Sequence, residues 1–260
     1  MTRNLLIFNH IPKTAGTSLK EIITEQYGNN HCFLCYGGVF GTQTIKDRVE
    51  ELNRQLSLED NQGTETIIKA VIGHMGYGLH QLIPQREFQH ITFLRDPVDR
   101  VLSYYFDLNR QGKVGTPTGD QSEYILECIK TKFLIEADNW QTRYLSGVGW
   151  QNIILKGQGK KIEFGQCNSE LLKLAKENLN DHYWFGIQDE FVESINLLSY
   201  KFNWQVRDQG VKLNAKKRQS RQNIAPEAIE CIKNLNWLDV ELYEYSKVMF
   251  EKQASSIKFN

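Results

Sequence analysis

The stretch from Leu5 to Tyr27 limits the possible folds more than any other part of the chain. Leu5–Asn9 opens with apolar residues that run without alternation, the pattern of a strand buried on both faces. A turn follows, His10-Ile11-Pro12-Lys13-Thr14-Ala15-Gly16. Then Leu19, Ile22, Ile23 and Tyr27 fall at helical spacing, an amphipathic helix of roughly ten residues. A buried strand feeding a helix through a tight turn begins a βαβ unit, so a parallel sheet is expected.

The rest of the chain continues that pattern. Further strands are expected at Thr66–Gly73, Ile91–Leu94 and Trp184–Ile187. Asp96-Pro97 marks a helix start, because aspartate caps and proline suits the first helical position; that helix should reach about Asn109. Ile45, Val49, Leu52 and Leu56 are helically spaced within a mostly polar stretch, and Gly112–Gly119 reads as a loop. Phe191, Ile195, Leu198 and Phe202 define another helix. Lys212–Arg221 is a basic loop, and Pro226 opens a last helical region that Asn236 interrupts. With no repeat and no linker, residues 1–260 read as one α/β domain, a P-loop-like three-layer arrangement with a central parallel sheet flanked by helices.

Lys+Arg and Asp+Glu balance at 31 each, so no global field directs the chain to nucleic acid or a membrane surface. Any anion site must be local. No segment reaches the roughly 18 apolar residues of a membrane span, and the run Leu5–Phe8 is too short for a signal peptide. The five cysteines are an odd number in a long chain, so no disulfide framework is expected and a reducing cytoplasm fits.

The first turn is built for such a local site. A helix N-terminus presents unpaired N–H groups and partial positive charge. Gly16 lets backbone approach a ligand, Lys13 supplies a point charge, and Thr14, Thr17 and Ser18 supply hydroxyls. The backbone of Ala15 lies between them. Ser18 followed by Glu21 also satisfies the capping-box pattern, so Ser18 has a purely structural alternative. The turn is not a Walker A loop, because its lysine precedes its glycine.

His-Ile-Pro-Lys-Thr-Ala-Gly-Thr-Ser resembles the 5′-phosphosulfate loop of sulfotransferases that use 3′-phosphoadenylyl sulfate (PAPS), in particular the glycan-modifying branch that includes heparan sulfate 2-O-sulfotransferase. Leu94-Arg95-Asp96-Pro97-Val98-Asp99-Arg100-Val101-Leu102-Ser103-Tyr104-Tyr105 resembles that family's 3′-phosphate element. The resemblance implies a sulfuryl transferase that releases 3′,5′-adenosine bisphosphate (PAP) and needs no metal. It assigns residues 13–18 to the 5′-phosphosulfate, and Arg95 and Ser103 to the 3′-phosphate. A late basic loop should close over the nucleotide, which makes Lys216 and Arg218 candidates. Arg100 is equally readable as a structural ion pair with Asp96 or another acidic neighbour.

Sulfuryl transfer to a hydroxyl needs a base for the acceptor's proton and a positive group for the leaving phosphate. Lys13 suits the second task. His74, at the end of the strand Thr66–Gly73, suits the first, since an imidazole titrates near neutrality. The 2-O-sulfotransferase branch carries His-Gly-His there, with both histidines implicated in catalysis. Ile72 replaces the first in this chain, which leaves the acceptor open.

Several other features are ambiguous on sequence grounds. Cys32-Phe33-Leu34-Cys35 has metal-type spacing but no second pair, so incidental thiols are expected. Gly37, Gly38 and Gly41 are read as shaping a loop near the acceptor. In Asp138–Gly147, Arg143 is a candidate contact for an acidic acceptor, and Trp140 either stacks on a sugar or packs in the core. The acceptor is expected to be a carbohydrate or a small molecule, with the protein a soluble bacterial-type relative of the Golgi enzymes. Rival readings are a kinase with a divergent phosphate loop, which needs Mg²⁺ and an acidic strand end, and a non-catalytic PAP binder.

Overall fold

The computed structural model describes residues 4–36, 45–62, 67–83, 87–114, 119–148, 162–206 and 221–257. Strands β1 (Asn4–Asn9), β2 (Cys32–Cys35), β3 (Ala70–Gly73), β4 (Glu87–Leu94) and β5 (Tyr183–Ile187) form a five-stranded sheet in the order β2-β3-β1-β4-β5. Every pairing in it is parallel. Strand β1 is therefore central, as its unbroken hydrophobic run requires. The expected strand at Thr66–Gly73 is shorter, beginning at Ala70, and the one at Ile91–Leu94 is longer, beginning at Glu87.

Cys32–Cys35, a pair of incidental thiols by spacing, is the edge strand β2. Strand geometry sends Cys32 and Cys35 to opposite faces. Cys32 joins the apolar cluster on the face of helix α1 (Gly16–Tyr27), and Cys35 the cluster on the face of helix α2 (Ile45–Gln62). The two sulfurs therefore do not converge, and all five cysteines are free thiols.

Helices cover both faces. On one, α1 (Gly16–Tyr27) and α7 (Phe191–Phe202) bury Leu19, Ile22, Ile23, Ile195 and Leu198 against Leu6, Phe8, Ile72, Ile91 and Phe93. On the other, α2 (Ile45–Gln62) lays Ile45, Val49, Leu52 and Leu56 against Leu5, Ile7 and Val71. Beside it, α5 (Trp140–Ser146), α6 (Ser169–His182) and α9 (Trp237–Ile257) pack on Tyr183, Phe185 and Ile187. Helices α3 (Pro97–Arg110), α4 (Gln121–Lys130) and α8 (Pro226–Leu235) form a further cluster. Asn236 does separate the last two helices. Its side chain bonds the Ile232 carbonyl at 2.9 Å and accepts from the Asn139 N–H at 3.0 Å.

A buried polar knot sits among these apolar layers. Asn9 donates to the carbonyls of Met75 and Gly76 at 3.0 and 3.2 Å. Its Oδ1 accepts from the Tyr183 hydroxyl at 2.9 Å and from His90 Nδ1 at 3.1 Å. The loop after β3 is thereby tied to the end of β1. Gly73 closes the arrangement from the other side, since a Cβ there would lie 1.9 Å from the Cys35 carbonyl oxygen. Gly73→Ala should therefore lower unfolding free energy by about 1–3 kcal/mol, read from denaturant unfolding.

Candidate active site

Consecutive strands deliver their first post-strand residues to one edge of the sheet. His10 follows β1, Tyr36 follows β2, His74 follows β3 and Arg95 follows β4. In open parallel sheets this carboxyl edge is where ligands bind.

The turn between β1 and α1 is strained. Lys13 and Ala15 both hold left-handed backbone, with φ 72° and 69°, a conformation that costs non-glycine residues free energy and clusters at functional sites. The Thr14 hydroxyl stabilises the turn from within by donating to the Ile11 carbonyl at 2.8 Å. Helix α1 starts directly after it. Ala15 is the cap residue and offers no side-chain cap, and the first helical turn has no acidic residue. Ser18 is therefore inside the helix and does not cap it, contrary to the capping-box alternative. The N–H groups of Gly16, Thr17 and Ser18 remain directed at the turn, the arrangement that binds anions. Gly16 is obligatory for packing, since a Cβ would sit 2.0 Å from the His10 ring.

Lys13 and the Arg95–Ser103 element meet at this turn. Arg95 Nη1 donates to the Lys13 carbonyl at 3.1 Å. Asp96 caps α3 through bonds to the N–H groups of Val98 and Asp99 at 2.9 and 3.1 Å, as the sequence predicts. Ser103 is on α3, partly exposed, one turn before Asp107. Asp107 pairs with Lys13 Nζ at 3.0 Å. Partial burial would raise its carboxyl, but the bonds from Arg110 and Lys13 prevail and hold it below the usual range. The donor-type lysine thus already carries an acidic partner that sequence spacing could not reveal.

His74 lies against His10 and Tyr36, with ring centroids 4.6 and 4.8 Å away. His10 Nδ1 and the Tyr36 hydroxyl share a hydrogen bond of 2.8 Å. Burial, reinforced by the Lys13 charge, lowers the His74 imidazole to about 4. Burial lowers His10 to about 3, with His74, Lys20 and Lys13 adding to it. Both rings are neutral at physiological pH, so His74 has a lone pair to offer. His80 lies apart from this cluster, packed with Tyr77, Phe88 and His90.

Other sequence-picked residues do different work. Arg100 is fully buried and donates to the Glu136 carbonyl, while Asp96 and Asp99 pair instead with Arg221. Arg143 pairs with Asp138 and donates to the Asp138 and Ile162 carbonyls, both at 2.7 Å. Trp140 packs against the α5–α6–α9 core. Gly37, Gly38, Gly41, Lys216 and Arg218 lie outside the described residues. Among the described residues no cluster of three His, Cys, Asp or Glu side chains is arranged to hold a metal, and no helix is long and apolar enough to cross a membrane.

Asp107→Asn should strengthen binding of inorganic phosphate at the turn about two- to five-fold, the scale of a partly exposed ion pair. Isothermal titration calorimetry reads this directly.

Human heparan-sulfate 6-O-sulfotransferase 2 is 28% identical over 95% of this chain and 44% of its own length. The Gallus gallus protein of the same name is 30% identical over 95% of this chain and 67% of its own. These relatives are named as 6-O-sulfotransferases, of the same family as the 2-O enzyme that the turn resembles. The chain spans less than half of the human relative's length. A solved structure of mouse sulfotransferase SULT7A1 complexed with PAP aligns over 95% of this chain and 89% of that one, at 15% identity and a TM-score of 0.47. The sulfotransferase family model matches residues 2–246. The chain, whose strand ends bring a phosphate-type turn, an arginine and a neutral histidine together, belongs to the sulfotransferase family.

Proposed function

We propose that this protein moves the sulfuryl group of PAPS to a hydroxyl of a carbohydrate or glycoconjugate and releases PAP. The observation that carries this reading is the meeting of the Lys13 turn, Arg95 and His74 at one sheet edge. In it, Lys13, Thr14, Ala15, Gly16, Thr17 and Ser18 receive the 5′-phosphosulfate. Arg95 and Ser103 receive the 3′-phosphate, which the guanidinium fork fits better than an ammonium would. Lys216 and Arg218 close over the nucleotide. The likeness to heparan-sulfate 6-O-sulfotransferases supports a glycan acceptor, with a sugar 6-hydroxyl the leading case. The five free thiols support a reducing, cytoplasmic location.

The steps follow from charge and geometry. His74 takes the proton of the acceptor hydroxyl as its oxygen attacks sulfur. The bond from sulfur to the bridging phosphate oxygen breaks, and the charge left on PAP falls on Lys13 and the α1 N–H groups. The donor's negative charge offsets the Lys13 contribution that depresses His74, so donor binding makes the imidazole a stronger base.

Ligand-dependent melting tests the donor. PAP without metal should raise the melting temperature; stabilisation by Mg-ATP alone would mean a kinase and end the sulfotransferase proposal.

His74→Ala should leave PAP affinity unchanged and cut transfer by about 10²–10⁴-fold, measured against a panel of sulfate-acceptor oligosaccharides. In the wild type, kcat/KM should fall as pH drops through about 4, where free His74 becomes protonated, and not near 6.5. Unaltered transfer in the variant would remove His74 from the mechanism.

A further inference from the structure

Arg95 is the first residue past β4, and its peptide groups are held by a side chain. Its N–H donates to Gln141 Oε1 at 2.9 Å, and its carbonyl accepts from Gln141 Nε2 at 2.9 Å. One primary amide thus grips both polar groups of one residue, as a neighbouring strand would. Gln141 is fully buried, which makes both bonds costly to lose.

Gln141 is itself anchored. Its N–H donates to Asp239 Oδ2 at 3.0 Å, and the N–H of Thr142 donates to Asp239 Oδ1 at 2.7 Å. A carboxylate from α9 therefore caps the start of α5. The favour is returned by Asn139, whose Oδ1 accepts from the N–H groups of Leu238 and Asp239 at 2.9 and 3.1 Å at the start of α9. Asn139 holds left-handed backbone at φ 48° to do so. Two helix starts cap each other, and Gln141 projects from that lock onto Arg95.

We propose that Gln141 is a positioning residue for the donor's 3′-phosphate. By holding both peptide groups of Arg95, it fixes the direction in which the guanidinium leaves the sheet, toward the Lys13 turn that Arg95 Nη1 already touches. A planar fork pairs with phosphate only over a narrow range of orientations, so backbone aim converts directly into affinity. The inference rests on the donor assignment above, and it adds a residue that touches no ligand.

The test compares two nucleotides that differ only in the 3′-phosphate, PAP and 5′-AMP, by calorimetric titration. The wild type should bind PAP the more tightly. Gln141→Ala should reduce that discrimination about tenfold, the effect of losing one or two buried hydrogen bonds, with 5′-AMP affinity little changed. Leu242→Ala loosens the same α5–α9 packing without touching Arg95, and should lower the melting temperature while sparing the discrimination. If Gln141→Ala does not fold, Gln141→Glu keeps the shape and the acceptor for the Arg95 N–H but removes the donor, and it should lose discrimination as well. Full discrimination in a folded Gln141 variant, or equal loss in Leu242→Ala, overturns the clamp. A wild type that does not distinguish PAP from 5′-AMP overturns the donor assignment and the clamp together.

Discussion

Parallel pairing of β1 between β3 and β4 is the constraint from which the site follows. Because the strands run the same way, the residues that leave them emerge on the same side. His10, His74 and Arg95 become neighbours although they are far apart in the chain. The central strand must be apolar on both faces to hold this position, and Leu5–Phe8 is. A charged residue at Ile7 would disturb His74, the turn and Arg95 together, since the strands that lead into them all belong to the pairings of β1.

Polar groups inside the layers then turn proximity into alignment. Asn9 binds the loop that carries His74, and Gln141 binds the residue that follows β4. Each uses a side-chain amide to satisfy buried backbone groups where sheet pairing ends. Such bonds contribute about 1 kcal/mol each when made, and their loss leaves a buried group unsatisfied at greater cost. The same logic explains Arg143, whose guanidinium ties Asp138 to the segment around Ile162 and Glu163. A motif rich in polar residues can serve the frame of a site without touching its ligand.

Much of the frame was legible from local pattern. The β1–turn–α1 unit, the Asp96-Pro97 helix start and the break at Asn236 all rest on interactions within a few residues, which sequence spacing encodes. Edge strand β2 was not legible, because four residues with two cysteines carry no periodic signal. The capping-box alternative for Ser18 fails for a related reason: Ser18 and Glu21 match a cap, but the left-handed Ala15 begins the helix earlier. Among site residues, Lys13, Arg95 and His74 could be picked from motif. Tyr36, Asp107 and Gln141 could not, since each acts on a partner distant in the chain.

By itself, the sequence determined that a phosphate-type turn opens a parallel α/β fold and that an arginine and a histidine stand at later strand ends. It did so because strand burial, helix spacing and turn chemistry are local properties. Tertiary structure alone decided which side chains meet there. The Lys13–Asp107 pair, the His10–His74–Tyr36 cluster and the Asp239–Gln141–Arg95 series all join elements distant in sequence. Their formation depends on strand order and on helix ends meeting across the sheet, and those are fixed by packing the whole chain at once.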